Sequence, residues 1–325
     1  MSKVPHKNPA TTIRPFNALD VFRCVPLAKA EGLDRARPLP NLADVGRTGS
    51  SLIGVARAAF SARRKGCAWA WRQGNRVIGL ASARRRSGLQ SWEVTHLLLA
   101  ADRYDGLPDL LDRVARTIAS YGGQRLFLRL SQDDPAVDAM RPGGFFPSVH
   151  EVLFVRPPRR DDVTHHADPG DGADFPRQKR QADDHDIFRL YNAAIPPKIR
   201  ADFGMTFDQW SASREPAMGR STEFVVEGDT GLVAWLRSMH WSGVGQLHAM
   251  AHPGHELDLA RIVDYGLARL GRVQTARCLV ADYQVALEDI LTDRGFRAAG
   301  EFVTLIRSMT VRARRDAGVR ATAIS

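Results

Sequence analysis

The sequence predicts a mixed α/β protein in which one plan of strands and helices occurs twice in tandem. Three observations carry that prediction. A chain of 325 residues is long for one compact domain and ordinary for two. Residues 157–177, PPRRDDVTHHADPGDGADFPR, are rich in Pro, Gly and Asp and lack hydrophobic periodicity, as a linker does. Sliding the halves against each other by 151 positions lays Gly144-Phe145 on Gly295-Phe296, Asp138 on Asp289, Val152 on Val303 and Arg156 on Arg307. The implied domains are 13–156 and 178–312, with 313–325 a frayed tail.

The elements follow in order. The first half opens with helical stretches at Ala18–Ala30 and Ser50–Arg64. RVIGLASAR (76–84) and WEVTHLLLA (92–100) alternate as strands and are joined by a hairpin at Ser87-Gly88. Leu110, Leu111, Val114, Ile118 and Tyr121 then recur at helical spacing. A strand at 125–130, a short helix at Pro135–Met140, a Gly-Gly-Phe break and a strand at 149–156 complete the half. The second half repeats the order: helices at Asp184–Ala194 and Thr206–Arg214, the latter beginning with the capping pattern Thr206-x-x-Gln209. Strands at 231–239 and 245–251, a helix at Glu256–Leu270, a strand at 276–282, a helix at Val285–Asp293 and a strand at 301–311 follow. Helices, then antiparallel strands, then a crossover helix imply a mostly antiparallel mixed sheet flanked by helices.

Composition narrows the function classes. With 44% hydrophobic and 25% charged residues the chain is globular, and no apolar run is long enough to span a membrane. The polar segment Met1–Thr12 lacks the apolar region of a secretory signal, and Cys24, Cys67 and Cys278 are too scattered for a disulfide framework. A reduced, cytoplasmic protein is the expectation. The net charge of +10 is uneven: residues 1–158 hold 24 Lys and Arg against 13 Asp and Glu, and the remainder 22 against 23. The first half is therefore the half expected to meet an anion, the alternative being a basic, solvated surface with no such partner.

This order of elements, with the Gly-Phe turn before the last strand of each half, resembles the GNAT superfamily of acetyl-CoA-dependent N-acetyltransferases. The resemblance implies two tandem acyl-CoA N-acyltransferase folds and acetyl-CoA as cosubstrate. The family's pyrophosphate loop reads Gln/Arg-x-x-Gly-x-Gly/Ala, because backbone N–H groups must approach the phosphates at a helix N-terminus. Arg103 and Gly106 match that pattern; Pro108 departs from it and removes one N–H. The equivalent stretch His252–Asp258 lacks the pattern, so the second half is expected to be degenerate. Carried over from the family, Leu97, Leu98 and Leu99 would line the acyl and pantetheine arm, with Ser131 at its mouth. The family's thiolate-protonating Tyr is replaced by Met140 and by Leu291. Glu93 and His96 are the candidate bases, and strict strand alternation puts them on opposite faces.

Other patterns imply less. His240, His248, His252 and His255 share no helix face, so no metal site is expected. Arg63-Arg64-Lys65 and Arg84-Arg85-Arg86 have few aromatic neighbours, which argues against nucleic acid. The six tryptophans are assigned to the cores or to a cleft between domains. The expected activity is acetyl transfer from acetyl-CoA to an amine, small or peptidic, by direct attack; the alternative is a non-catalytic sensing or interaction module. Pairing of the domains within one chain or across a homodimer stays open.

Overall fold

The computed structural model describes residues 11–24, 27, 34–44, 66–100, 103–157, 176–270 and 273–309. The linker stretch 158–175, the helical reading at Ser50–Arg64, the cluster Arg63-Arg64-Lys65 and the tail lie outside these residues. In the first half the strands are β1 (Thr11–Pro15), β2 (Gly66–Gln73), β3 (Arg76–Arg85), β4 (Ser91–Leu99), β5 (Arg125–Ser131) and β6 (Phe146–Arg156). The helices there are α1 (Ala18–Arg23), α2 (Leu107–Ser120) and α3 (Ala136–Ala139). The second half holds β7 (Arg177–Gln178), α4 (Asp184–Ala194), α5 (Pro197–Phe203), α6 (Phe207–Ser213), β8 (Arg220–Gly228), β9 (Gly231–Trp241) and β10 (Val244–Ala251). It ends with α7 (Glu256–Leu270), β11 (Thr275–Ala281), α8 (Val285–Asp293) and β12 (Arg297–Ser308).

Local chemistry explains the long elements. α2 starts beside Gly106, carries Pro108 in its first turn where no N–H is needed, and buries Leu107, Leu110, Leu111, Val114 and Ile118. α7 buries Leu259, Ile262, Val263, Leu267 and Leu270 in the same way. The hydroxyl of Thr206 accepts from the Gln209 N–H at 3.3 Å, while the Gln209 side chain reaches back to the Met205 N–H. Gly144 and Gly295 adopt φ of +77° and +79°, which glycine does without strain. Each hands over a buried Phe, Phe145 to the first core and Phe296 to the second.

The twelve strands of the described residues form one sheet in the order β1-β2-β3-β4-β5-β12-β6-β11-β10-β9-β8-β7. The closing strands are exchanged. β12 pairs with β5 from Phe302↔Ser131 to Ser308↔Arg125, and β6 pairs with β11 from Ala276↔Arg156 to Ala281↔Glu151. β6 and β12 then pair with each other at the centre. Side chains record the exchange: Val303 and Leu305 of β12 lie in the first core, and Phe154 of β6 lies in the second. The halves therefore join within one chain, through main-chain hydrogen bonds.

Helices cover both faces. α2 and α3 pack under the first half and α7 and α8 under the second, forming the two main cores. On the opposite face α1, the turn at Leu39–Asp44, and α4 and α6 cover smaller clusters. The central cluster there joins Leu39 and Leu42 to Leu153, Met239, Leu279 and Phe302, across both halves.

Candidate active site between the halves

In the first half β4 and β5 pair in parallel only from Ser91↔Arg125 to Glu93↔Phe127, then diverge. The chain itself fills the resulting wedge. The Arg35 N–H donates to the Leu97 carbonyl and the Arg37 N–H to the Arg129 carbonyl, both at 2.8 Å. The Asp34 carboxylate accepts from the Leu97 N–H at 3.1 Å, and Ala36 is fully buried in the first core. Arg35 is tied to Asp134 at 2.8 Å and lies over the Tyr104 ring. Both polar main-chain groups of Leu97 are thus bonded to residues 34–35, while Leu99 pairs with Gly79 on β3. Ser131 ends β5 opposite Phe302, where its carbonyl accepts from Asp134.

The other predicted residues have structural partners. Arg103 stands over the Trp71 ring, 3.5 Å from Asp105. A Cβ at Gly106 would lie 2.4 Å from Trp71, so the indole already demands glycine there. Gly106→Ala should cost about 1–3 kcal/mol through overpacking, read as a lower urea midpoint; an unchanged midpoint would show that the loop yields. Glu93 is buried and held by Arg84 at 2.6 Å and Arg86 at 3.4 Å. His96 Nδ1 meets the Ser82 hydroxyl at 2.9 Å, and burial lowers its pKa against the pull of Asp34. Strict alternation fails on this strand. Thr95 is an extra residue between the pairs Ser82↔His96 and Ala83↔Val94, so Glu93 and His96 face the same side as Arg84 and Ser82.

The second half leaves its wedge open. β10 and β11 pair from Val244↔Thr275 to Leu247↔Cys278, and His248 is the first residue beyond the fork. One side chain crosses the gap: Gln284 donates to the Ala249 carbonyl at 3.0 Å and accepts from the Ala281 N–H at 3.2 Å. A cavity of about 210 Å³ lies on the helix side of the fork, lined by Ala251, Pro253, Glu256, Tyr283, Ala286 and Leu287 among others. A second cavity of about 220 Å³ lies between the halves, lined by residues of both, among them Arg86, Glu151, Trp210, Arg237 and His248. The two cavities share Ile195, Tyr283 and Gln284.

The cavity between the halves is built on buried charge. Arg129 binds Glu151 through Nε at 2.7 Å and Nη2 at 3.1 Å, and Glu215 through Nη2 at 2.7 Å. The Thr304 hydroxyl donates to Glu151 at 2.6 Å, tying in β12. Arg86 bonds the Ser213 carbonyl at 2.9 Å and lies over the Phe127 ring. It is 8% exposed, so this member of the Arg84–Arg86 cluster is a cross-strut between the halves and not a solvated hairpin charge. Arg214 pairs with Glu223 at 2.8 Å and lies against Trp210 and Trp235.

These surroundings set the protonation states. Burial alone would raise the Glu215 pKa, but Arg129 and Arg86 outweigh it and hold the carboxyl down at about 2. Burial lowers His248 to about 4 despite nearby Glu215, so the imidazole is neutral at ordinary pH. Burial also pushes the Tyr283 phenol up, which keeps its proton in place. Among the described residues, His248 Nε2, Glu215 Oε2 and the Tyr191 hydroxyl meet no hydrogen-bond partner. The site thus offers a neutral acceptor of protons and a phenolic donor beside a fork in the sheet. Burial pushes the thiols of Cys24, Cys67 and Cys278 up to about 12, leaving no thiolate nucleophile near neutral pH.

Of the sequence's candidates, Glu93, His96, Leu97, Leu98 and Leu99 share β4, Arg103 and Gly106 share its following loop, and none lines the cavity between the halves. His248 was visible as the imidazole inside the otherwise apolar run Leu247–Ala251, but was weighed only as a metal ligand. Among the described residues no group of three His, Cys, Asp or Glu could hold a metal ion, and no helix is long and apolar enough to cross a membrane.

No family model matches the sequence, and the curated proteins contain no significant match. Solved structures do match. A GCN5-related N-acetyltransferase from Sphaerobacter thermophilus is 14% identical with a TM-score of 0.54, covering 92% of this chain and 95% of that one. A tandem GNAT protein from the clavulanic acid biosynthesis pathway is 15% identical with a TM-score of 0.50, covering 92% of this chain and 98% of that one. Identities this low speak for the fold, and both matches run through the two halves. The chain has the GNAT fold in its tandem form.

Proposed function

We propose that this protein is a CoA-dependent N-acyltransferase with one active site, formed by the second half's fork and the cavity between the halves. Acetyl-CoA is the donor to test first. The observation that supports this most is the contrast between the forks: the first is filled by Asp34–Arg37, while the second is crossed by one side chain where two cavities meet. An acyl-CoA arm entering past Pro253 and Ala286 would bring its thioester to Tyr283 and Gln284, with the amine on the far side near His248.

The chemistry needs little more. The amine nitrogen attacks the thioester carbonyl, forming a C–N bond, and collapse of the tetrahedral intermediate breaks the C–S bond. His248 Nε2 takes the proton the nitrogen sheds, and the Tyr283 phenol supplies one to the departing thiolate. Solvent resets both groups, so amine and thioester become amide and thiol. This reading moves the site from the half that carries the positive charge to the half expected to be degenerate.

Calorimetric titration with acetyl-CoA and with free CoA tests it. One site per chain is expected, lost in Ala251→Trp, which fills the fork, and unchanged in Arg103→Ala. Two sites, or loss of binding in Arg103→Ala alone, would return the donor to the first half. No binding by either ligand would leave the non-catalytic alternative.

A further inference from the structure

The cavity between the halves has a composition that selects its occupant. Its wall carries Arg86, Arg129, Arg214 and Arg237 against only Glu151 and Glu215. Arg129 uses its charge on both of those carboxylates, and Arg214 uses Glu223. Arg86 has the Glu93 carboxylate at 3.4 Å and that of Glu215 at 3.5 Å, which leaves Arg237 as the wall arginine farthest from a carboxylate. It is 8% exposed, its Nη1 and Nε bond neutral acceptors (the Glu215 carbonyl at 2.9 Å and the Ser221 hydroxyl at 3.2 Å), and the Glu223 carboxylate is 3.9 Å away. Burial and nearby Arg214 lower its pKa by more than Glu223 and Glu215 raise it, as for a cation only partly matched by negative charge. A buried guanidinium in this state is stabilised by an anion from outside.

The same cavity offers Glu215 Oε2, His248 Nε2 and the Tyr191 hydroxyl without partners among the described residues. Those atoms suit the N–H groups of an amine. Tyr191, Trp210 and Trp235 supply aromatic walls, and about 220 Å³ falls short of the roughly 300–1,000 Å³ of drug-sized sites. A polymer or a bare alkylamine would satisfy only part of this set.

We propose that the cavity binds a free α-amino acid with an apolar or aromatic side chain, its carboxylate on Arg237 and its amine toward Glu215 and His248. As the identity of the acceptor, this rests on the transferase reading above; as a binding site it does not.

The test is calorimetry on the full chain saturated with CoA, using L-phenylalanine, L-tyrosine, L-tryptophan and L-leucine, each against its carboxamide. The amide keeps the amine and removes the negative charge. At least one free amino acid should bind once per chain, with its amide weaker by about tenfold or more, the scale of a lost charge-assisted bond. Arg237→Gln should shrink that difference to within about threefold. Equal binding of acid and amide, or no binding by all four acids, overturns the proposal, and this wild-type comparison does not depend on the variant folding. Amino acid binding without any CoA binding would sink the transferase reading and leave this site standing. CoA binding with turnover of other amines, and no amino acid binding, would do the reverse.

Discussion

Arg129→Ala should lower the unfolding free energy by about 3–5 kcal/mol near neutral pH, the cost of stranding buried carboxylates. Arg129 is 7% exposed and is bonded to both Glu151 and Glu215, which come from opposite halves. In the wild type the folded Glu215 pKa of about 2 lies below its ordinary 4.5, so its stabilising contribution is present above 4.5 and lost as pH falls toward 2. His248, lowered from 6.5 to about 4, acts in the same direction: stability falls as acid protonates the unfolded chain first. In the variant, burial without Arg129 pushes the Glu215 pKa up instead, so the penalty is present at neutral pH and relieved by protonation. Urea unfolding of both proteins near neutral pH and at about pH 5 should show the gap narrowing with acid. A gap that stays constant would mean that the carboxylates find other partners.

His248→Ala should reduce turnover by about 10²-fold, the low end of the range for removal of a proton acceptor, because a pKa of about 4 makes this imidazole a weak base. The assay is thiol release from acetyl-CoA with whichever amine the binding panel identifies. CoA affinity should not change, because the side chain faces the cavity between the halves and does not line the cavity at Pro253 and Ala286. In the wild type the imidazole's own titration should cut the rate only as pH approaches about 4. The variant's residual rate should climb with pH, following the free-amine fraction of the substrate. A full rate in His248→Ala would assign the proton to solvent.

Much of the fold was legible because periodicity reports directly on burial. The helices at Asp184–Ala194, Glu256–Leu270 and Val285–Asp293 form as read, and strands 76–84 and 92–100 are displaced by a residue at most. The partner of a strand is another matter. Alternation in β6 and β12 says which side chains share a face, and either strand could lie beside β5 or β11 with its apolar side inward. The bulge at Thr95 has the same origin, since one extra residue reverses the faces without changing the composition.

The candidate site was harder to see because it is assembled from far apart. Arg86, Arg129, Glu151, Glu215, Arg237 and His248 belong to six segments, and each of the five besides His248 reads by itself as a surface charge. The wedge of Asp34–Arg37 was equally hidden. Apart from the Asp34 carboxylate on the Leu97 N–H, its hold on β4 and β5 is through main-chain hydrogen bonds, which leave little trace in residue identity. Glycine and arginine in a loop after β4 were legible as a phosphate cradle, yet Trp71 gives Gly106 a sufficient packing reason.

The exchanged strands bear on how a ribosome makes this protein. While the first half emerges, β5 has no neighbour on the side that β12 will occupy, and β6 waits for β11. The nascent first half therefore carries an open sheet edge, a hazard for pairing with other chains, until the segment Arg297–Ser308 has been synthesised. Neither half can finish folding ahead of the other, so cleavage between them should yield two fragments that stay associated. Expressed alone, each fragment should be prone to aggregate, and refolding the two together should restore a single particle.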